Sequence, residues 1–167
     1  MQADIEAIDW SELIKFEDTG RFANWRLDQE EEPEWILSGE DVGWTNDSGS
    51  TYFGIADALQ NIADDLPADQ RDLLAKSYFI LFAAGEEFTI QDIPCVPDSC
   101  YMFTLSPDRI SEIHDSIKRI DRERIVTMVA GAMEDFEDDW IIEFFDQVDA
   151  VVSIALEKKW GIIGFAG

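Results

Sequence analysis

Four carboxylates, Asp135, Asp138, Asp139 and Glu143, stand at i, i+3, i+4 and i+8 in the chain. On a helix that spacing gathers them on one face. Such a face can hold a metal ion, bind a cationic partner, or simply stay solvated. A two-metal hydrolytic site needs spaced Asp and Glu with His or Lys support, and the neighbouring residues add only more acid. Glu134 and Glu137 join the cluster, and the 134–149 stretch holds eight acids and no base. Like charges at i, i+4 destabilise a helix by a few tenths of a kcal/mol per pair. Asp135/Asp139 and Asp139/Glu143 repeat that cost, and a helix dipole offsets only part of it. The solvated face is the plain expectation and a protein-binding face the functional one. No metal and no cofactor are expected. Trp140, inside the cluster, is read as core first and as an aromatic anchor if its side chain is exposed.

Other chemistry is sparse. Cys95 and Cys100 form a C-x4-C pair around Pro97, and His114 is the single imidazole. A structural zinc site needs two further Cys or His ligands at defined spacing. A local disulfide is geometrically open. Nucleophilic catalysis needs Ser or Cys with a base in reach; no G-x-S-x-G motif and no glycine-rich phosphate loop occurs. His114 lies on an apolar helical face and reads as a packed boundary histidine. Asp41, Asn46 and Asp47 supply oxygens but lack the order of a calcium loop, so a plain loop is expected there.

The elements that would position these groups follow from periodicity. The chain has 167 residues, 46% hydrophobic and 12% aromatic. That suits one domain with its own core and is too apolar for a disordered acidic chain. Residues 4–16 read as a short amphipathic helix or a turn leading into one, with Asp9 placed to cap a helix from Trp10 and Glu12 completing a capping box. The DQEEEPE run reads as a solvated loop, Trp35-Ile36-Leu37 as an edge strand or a helical turn, and 46–50 as a turn. Residues 1–50 therefore look like a loop-rich subregion. Helices are expected over 50–66 and 68–84, forming a hairpin around Pro67, with Gly85 as the stop. Phe88-Thr89-Ile90 and 101–104 read as short strands. Ser106 and Pro107 open a helix, and 122–132 make another with Ile125, Met128 and Val129 inward. The longest helix is expected over 133–159, with Lys158 and Lys159 at its end and Gly161 stopping it. Ile162, Ile163 and Phe165 then read as a terminal strand. The expected fold is α+β, mainly helical, with a small sheet that includes the C-terminal strand.

Charge narrows the function. There are 37 Asp and Glu against 12 Lys and Arg, a net of −25, spread along the chain rather than gathered in a tail. Such a field repels nucleic acid and anionic membrane and speeds capture of basic partners. No 18-residue apolar run is present, so no membrane span is expected. The first twenty residues carry six acids and no apolar run, unlike a signal peptide, so a cytoplasmic location is expected.

The run FTLSPDRISEIHDSIKRID and the ending FFDQVDAVVSIALEKKWGIIGFAG resemble the YfbM-like family of uncharacterised bacterial proteins. The resemblance covers about the last 65 residues. It implies an α+β fold and no established activity, and it assigns no site residue. Some members of that family sit in toxin–immunity neighbourhoods, which points to that role. The expected function is a non-enzymatic acidic binding protein: an immunity protein or inhibitor of a basic bacterial toxin, a nuclease among the candidates. Its partner-binding residues would be Glu134, Asp135, Glu137, Asp138, Asp139, Trp140 and Glu143. A metal-assisted enzyme with a carboxylate site, or an acidic protein of a salt-loving host, stand as alternatives.

Overall fold

The computed structural model describes residues 3–17, 34–78, 101–133 and 137–166. It is an α+β fold, mainly helical, with one four-stranded antiparallel sheet in the order β2-β1-β4-β3. Strand β1 is Ala3–Ile8, β2 Ile36–Leu37, β3 Tyr101–Leu105 and β4 Gly161–Ala166. The two ends of the chain meet in the middle of the sheet: Ala3 pairs with Ala166 and Ile8 with Gly161.

Strand β1 corrects the reading of residues 4–8 as helix or turn, whereas the helix expected from Trp10 forms. Ile5 and Ile8 are three apart and imitate a helical stripe, and the acids at 4 and 6 interrupt the apolar run. In the sheet Ala3, Ile5 and Ala7 are buried as alternate residues. The pairing partner lies at the far end of the chain, where no local pattern could reveal it.

Helix α1, Trp10–Glu17, follows directly. Asp9 caps it, its Oδ1 accepting from Ser11 N at 3.0 Å. Glu12 pairs with Lys15. Ile8, Leu13, Ile36 and Ile163 form a small buried cluster with Trp10 and Trp35 packed on it. Strand β2 is one edge of the sheet, so Ile36 and Leu37 resolve as strand, with Trp35 in the turn before it.

The main core lies under α2 (Asn46–Ala63), α3 (Ala68–Lys76), α4 (Pro107–Ile117), α5 (Arg122–Ala132) and α6 (Asp138–Lys158). Helix α2 begins at Asn46, which corrects the turn expected over 46–50. Asn, Asp and Ser favour turns and first helical turns alike, so composition alone misplaced the boundary. Asp41 sits in a 3-10 turn, Glu40–Val42, rather than a plain loop. Ser106 holds the N-cap of α4 through its backbone, its carbonyl accepting from Ile110 N at 3.0 Å. In α5 Ile125 and Val129 are buried, while Met128 is only partly so.

Helix α6 is the spine. It packs on α2, α4 and α5 and on β1 and β4. Ile141, Phe144, Phe145, Val148, Val151, Val152 and Ala155 are buried along it, each contributing on the order of 1–3 kcal/mol of apolar burial. Phe144 meets Trp44 edge-on at 5.4 Å, and Trp44 donates its indole N–H to Ala3 O at 3.0 Å. The helix ends in a Schellman motif: Trp160 N bonds Ala155 O and Lys159 N bonds Leu156 O. Lys159 carries the left-handed residue, φ 58°. Gly161, expected as the helix stop, is instead the first residue of β4. A Cβ there would lie 2.4 Å from the Trp10 ring, so close approach requires the glycine.

The 79–100 segment lies outside the described residues. So do Cys95, Cys100, Gly85, the strand expected at 88–90 and the last six residues of the helix expected over 68–84.

Candidate functional site: the α5–α6 surface

Asp121 sets the entry to α5. Its Oδ1 accepts from Arg124 N at 3.2 Å, and its own N–H donates to Gln70 Oε1 at 2.8 Å. Arg122 is therefore the first residue of the helix, a position where the helix dipole disfavours a cation. Its side chain reaches to α6 instead. There Nη1 donates to Asp149 Oδ2 at 2.9 Å, and Nη2 to Asp146 Oδ1 and to Ile142 O. Tyr78, beyond the end of α3, donates its hydroxyl to Asp149 Oδ1 at 2.9 Å.

The four groups shift one another. Burial raises the Asp149 carboxyl above its usual range, although Tyr78 and Arg122 pull it back. Burial and the Asp149 charge push Tyr78 upward. Burial works against the Arg122 cation, but the Asp146 bond and the Asp149 field outweigh it and raise its pKa. Both Asp149 oxygens accept hydrogen bonds, which leaves it poorly placed to take a substrate proton. The cluster is a clasp that ties α3, α5 and α6 together.

Beside the clasp, residues of α5 and α6 line an open groove of about 630 Å³. Val126, Ala130 and Ile142 line it with apolar surface, and Glu123 and Asp138 bring charge to its sides. Ile142 is 43% exposed. Nothing lies within 4 Å of a Cβ built on Gly131, so the groove is open at that point.

The carboxylates of the cluster do not share one face. At roughly 100° per residue, Asp138 and Ile142 turn toward α5. Asp139 and Glu143 crown the helix, opposite its buried side. Trp140 lies about 160° around from Asp138, on the other flank, and is 53% exposed. That corrects its reading as a core residue: the apolar stripe runs through Ile141, Phe144 and Phe145 instead. Glu137 is the exposed N-cap of α6, which begins at Asp138 rather than 133. Glu134 and Asp135 lie outside the described residues. Among the described residues no basic side chain pairs with Asp138, Asp139 or Glu143; Glu143 accepts only from Gln147 Nε2 at 3.3 Å. The same helix's Asp146 and Asp149 are answered by Arg122, a cation that the sequence reading did not connect to them.

His114 is half-buried at the edge of α4, with Nδ1 3.9 Å from Asp115. Among the described residues no three His, Cys, Asp or Glu converge as a metal site, and no helix is long and apolar enough to cross a membrane. No family model, curated protein or solved structure matches the chain.

Proposed function

We propose that this chain is a non-enzymatic binding protein that captures a basic protein through the solvent side of the first turns of α6. One contrast carries the reading. Arg122 neutralises the acids on the C-terminal side of this surface, whereas Asp138, Asp139 and Glu143 stay exposed without a cation among the described residues. Mutual repulsion at Asp139/Glu143 is thus retained in the folded chain, and a cationic partner would relieve it. A net charge of −25 would steer that partner in.

The specific form we favour is an immunity protein or inhibitor that covers the basic cleft of a bacterial toxin, with a nuclease as the type of target that best suits an acidic cover. The resemblance of the C-terminal portion to the YfbM-like family supports that choice. Partner binding is assigned to Glu137, Asp138, Asp139 and Glu143, with Glu134 and Asp135 as neighbours in sequence and Trp140 on the adjoining flank. Co-expression with the product of the adjacent open reading frame tests this. The two proteins should co-purify at low salt and growth inhibition should be relieved; failure of both defeats the proposal.

A further inference from the structure

The α5–α6 groove is apolar where the surrounding surface is acidic. Ile142 is 43% exposed, although α6 has a full apolar stripe elsewhere to bury. Val126 and Ala130 face the same space, and Gly131 leaves it unobstructed. The volume of about 630 Å³ is in the range that holds ligand groups. Arg122, the cation in the wall, has its guanidinium engaged by Asp146, Asp149 and Ile142 O. It therefore presents little positive charge to an incoming group. Glu123 and Asp138 border the apolar floor, and Asp139 and Glu143 stand just outside it.

We infer that the groove takes one apolar side chain from a basic amphipathic segment of the partner, while the bordering carboxylates take the Lys or Arg residues on either side of it. Charge complementarity selects this occupant. A second copy of the chain would bring the same acids against each other, and a nucleic acid would bring phosphates. The inference rests on the proposed binding function and adds the chemistry of the recognised segment. Carboxylates give attraction and on-rate, and the groove gives discrimination between a basic segment with an apolar anchor and one without.

The test uses two fluorescent probes of equal charge: an amphipathic lysine–leucine peptide and an oligolysine with the same number of lysines. Anisotropy titrations at low salt compare the wild-type chain with Gly131→Phe and Ile142→Ser. Gly131→Phe fills the open space with an added ring and removes no core contact, so circular dichroism should be unchanged. The lysine–leucine peptide should bind the wild type about tenfold more tightly than oligolysine. Gly131→Phe should erase that preference and leave oligolysine affinity as it was, and Ile142→Ser should reduce it. Equal affinities for the two peptides, or a preference that survives Gly131→Phe, overturn the groove while leaving the acidic surface standing. Failure of both peptides to bind overturns the acidic surface as well. Self-association without peptide that Gly131→Phe abolishes would assign the groove to a second copy and overturn the proposal.

Discussion

The Tyr78 hydroxyl donates to Oδ1 of Asp149 across 2.9 Å, joining residues 71 positions apart in the chain. The Tyr78 ring also stacks edge-on with Phe145 at 4.6 Å. The contact holds the end of α3 against the middle of α6, next to the guanidinium of Arg122. Tyr78→Phe keeps the ring and removes the bond. It should cost about 1–2 kcal/mol in urea unfolding, and a double-mutant cycle with Asp149→Asn should show coupling between the two positions.

The same pair has a pH signature. The folded Asp149 pKa lies above its unfolded value because burial disfavours the charge. Stability from the protonated form is therefore full below the usual carboxylate range and lost as pH rises through the raised folded pKa. Asp149→Asn does not titrate. Its stability relative to wild type should rise across that window and then level off, as measured by urea midpoints at a series of pH values. At the alkaline end, burial raises both Tyr52 and Tyr78. Their contribution is present below the usual tyrosine range and is lost as pH climbs beyond it, so both should ionise only as the chain unfolds.

Arg122 should tolerate no simple replacement. Arg122→Ala leaves Asp149 partly buried beside Asp146 without its cation, a loss of about 2–3 kcal/mol. Arg122→Lys should recover only part of it, because one ammonium cannot reproduce a fork that reaches both carboxylates and a backbone carbonyl. Thermal melts of the two variants against wild type check the ranking.

Two backbone positions make opposite predictions. Gly161→Ala would place a methyl 2.4 Å from Trp10 Cε3 and 2.5 Å from Leu105 O. The strand or the ring must shift, at a cost of about 1–3 kcal/mol. Lys159→Gly relieves a non-glycine residue at φ 58° and should gain about 0.5–1 kcal/mol. Unfolding midpoints should move down for the first and up for the second.

Much of this architecture was legible along the chain, and the gaps have physical causes. Ser106-Pro107 marked the start of α4, and the Phe144–Val148–Val152 spacing marked α6. The apolar tail after Lys159 marked β4, and the end-on acids of α6 were visible as a cluster. Strand β1 was hidden because its partner is the last segment of the chain and its isoleucines fall at helical spacing. The clasp was hidden because a cation on one helix and acids on another have no fixed separation in sequence. A hint existed: Arg122 opens a helix, where a positive charge is unfavourable unless it is used elsewhere. The groove was hidden as well, since Ile142 follows Ile141 in the chain and only packing decides which of the two is buried.

Where the unanswered acidity acts is open to direct measurement. Calorimetric titration with oligolysine at low salt should compare two variants that each remove three acids. Asp138→Asn/Asp139→Asn/Glu143→Gln strips the outer surface of α6, and Asp57→Asn/Asp65→Asn/Asp72→Asn strips exposed acids of the α2–α3 hairpin. The first should weaken binding about tenfold or more and the second should change it little. Equal losses in the two variants would mean that binding follows net charge alone, and would contradict a site on α6.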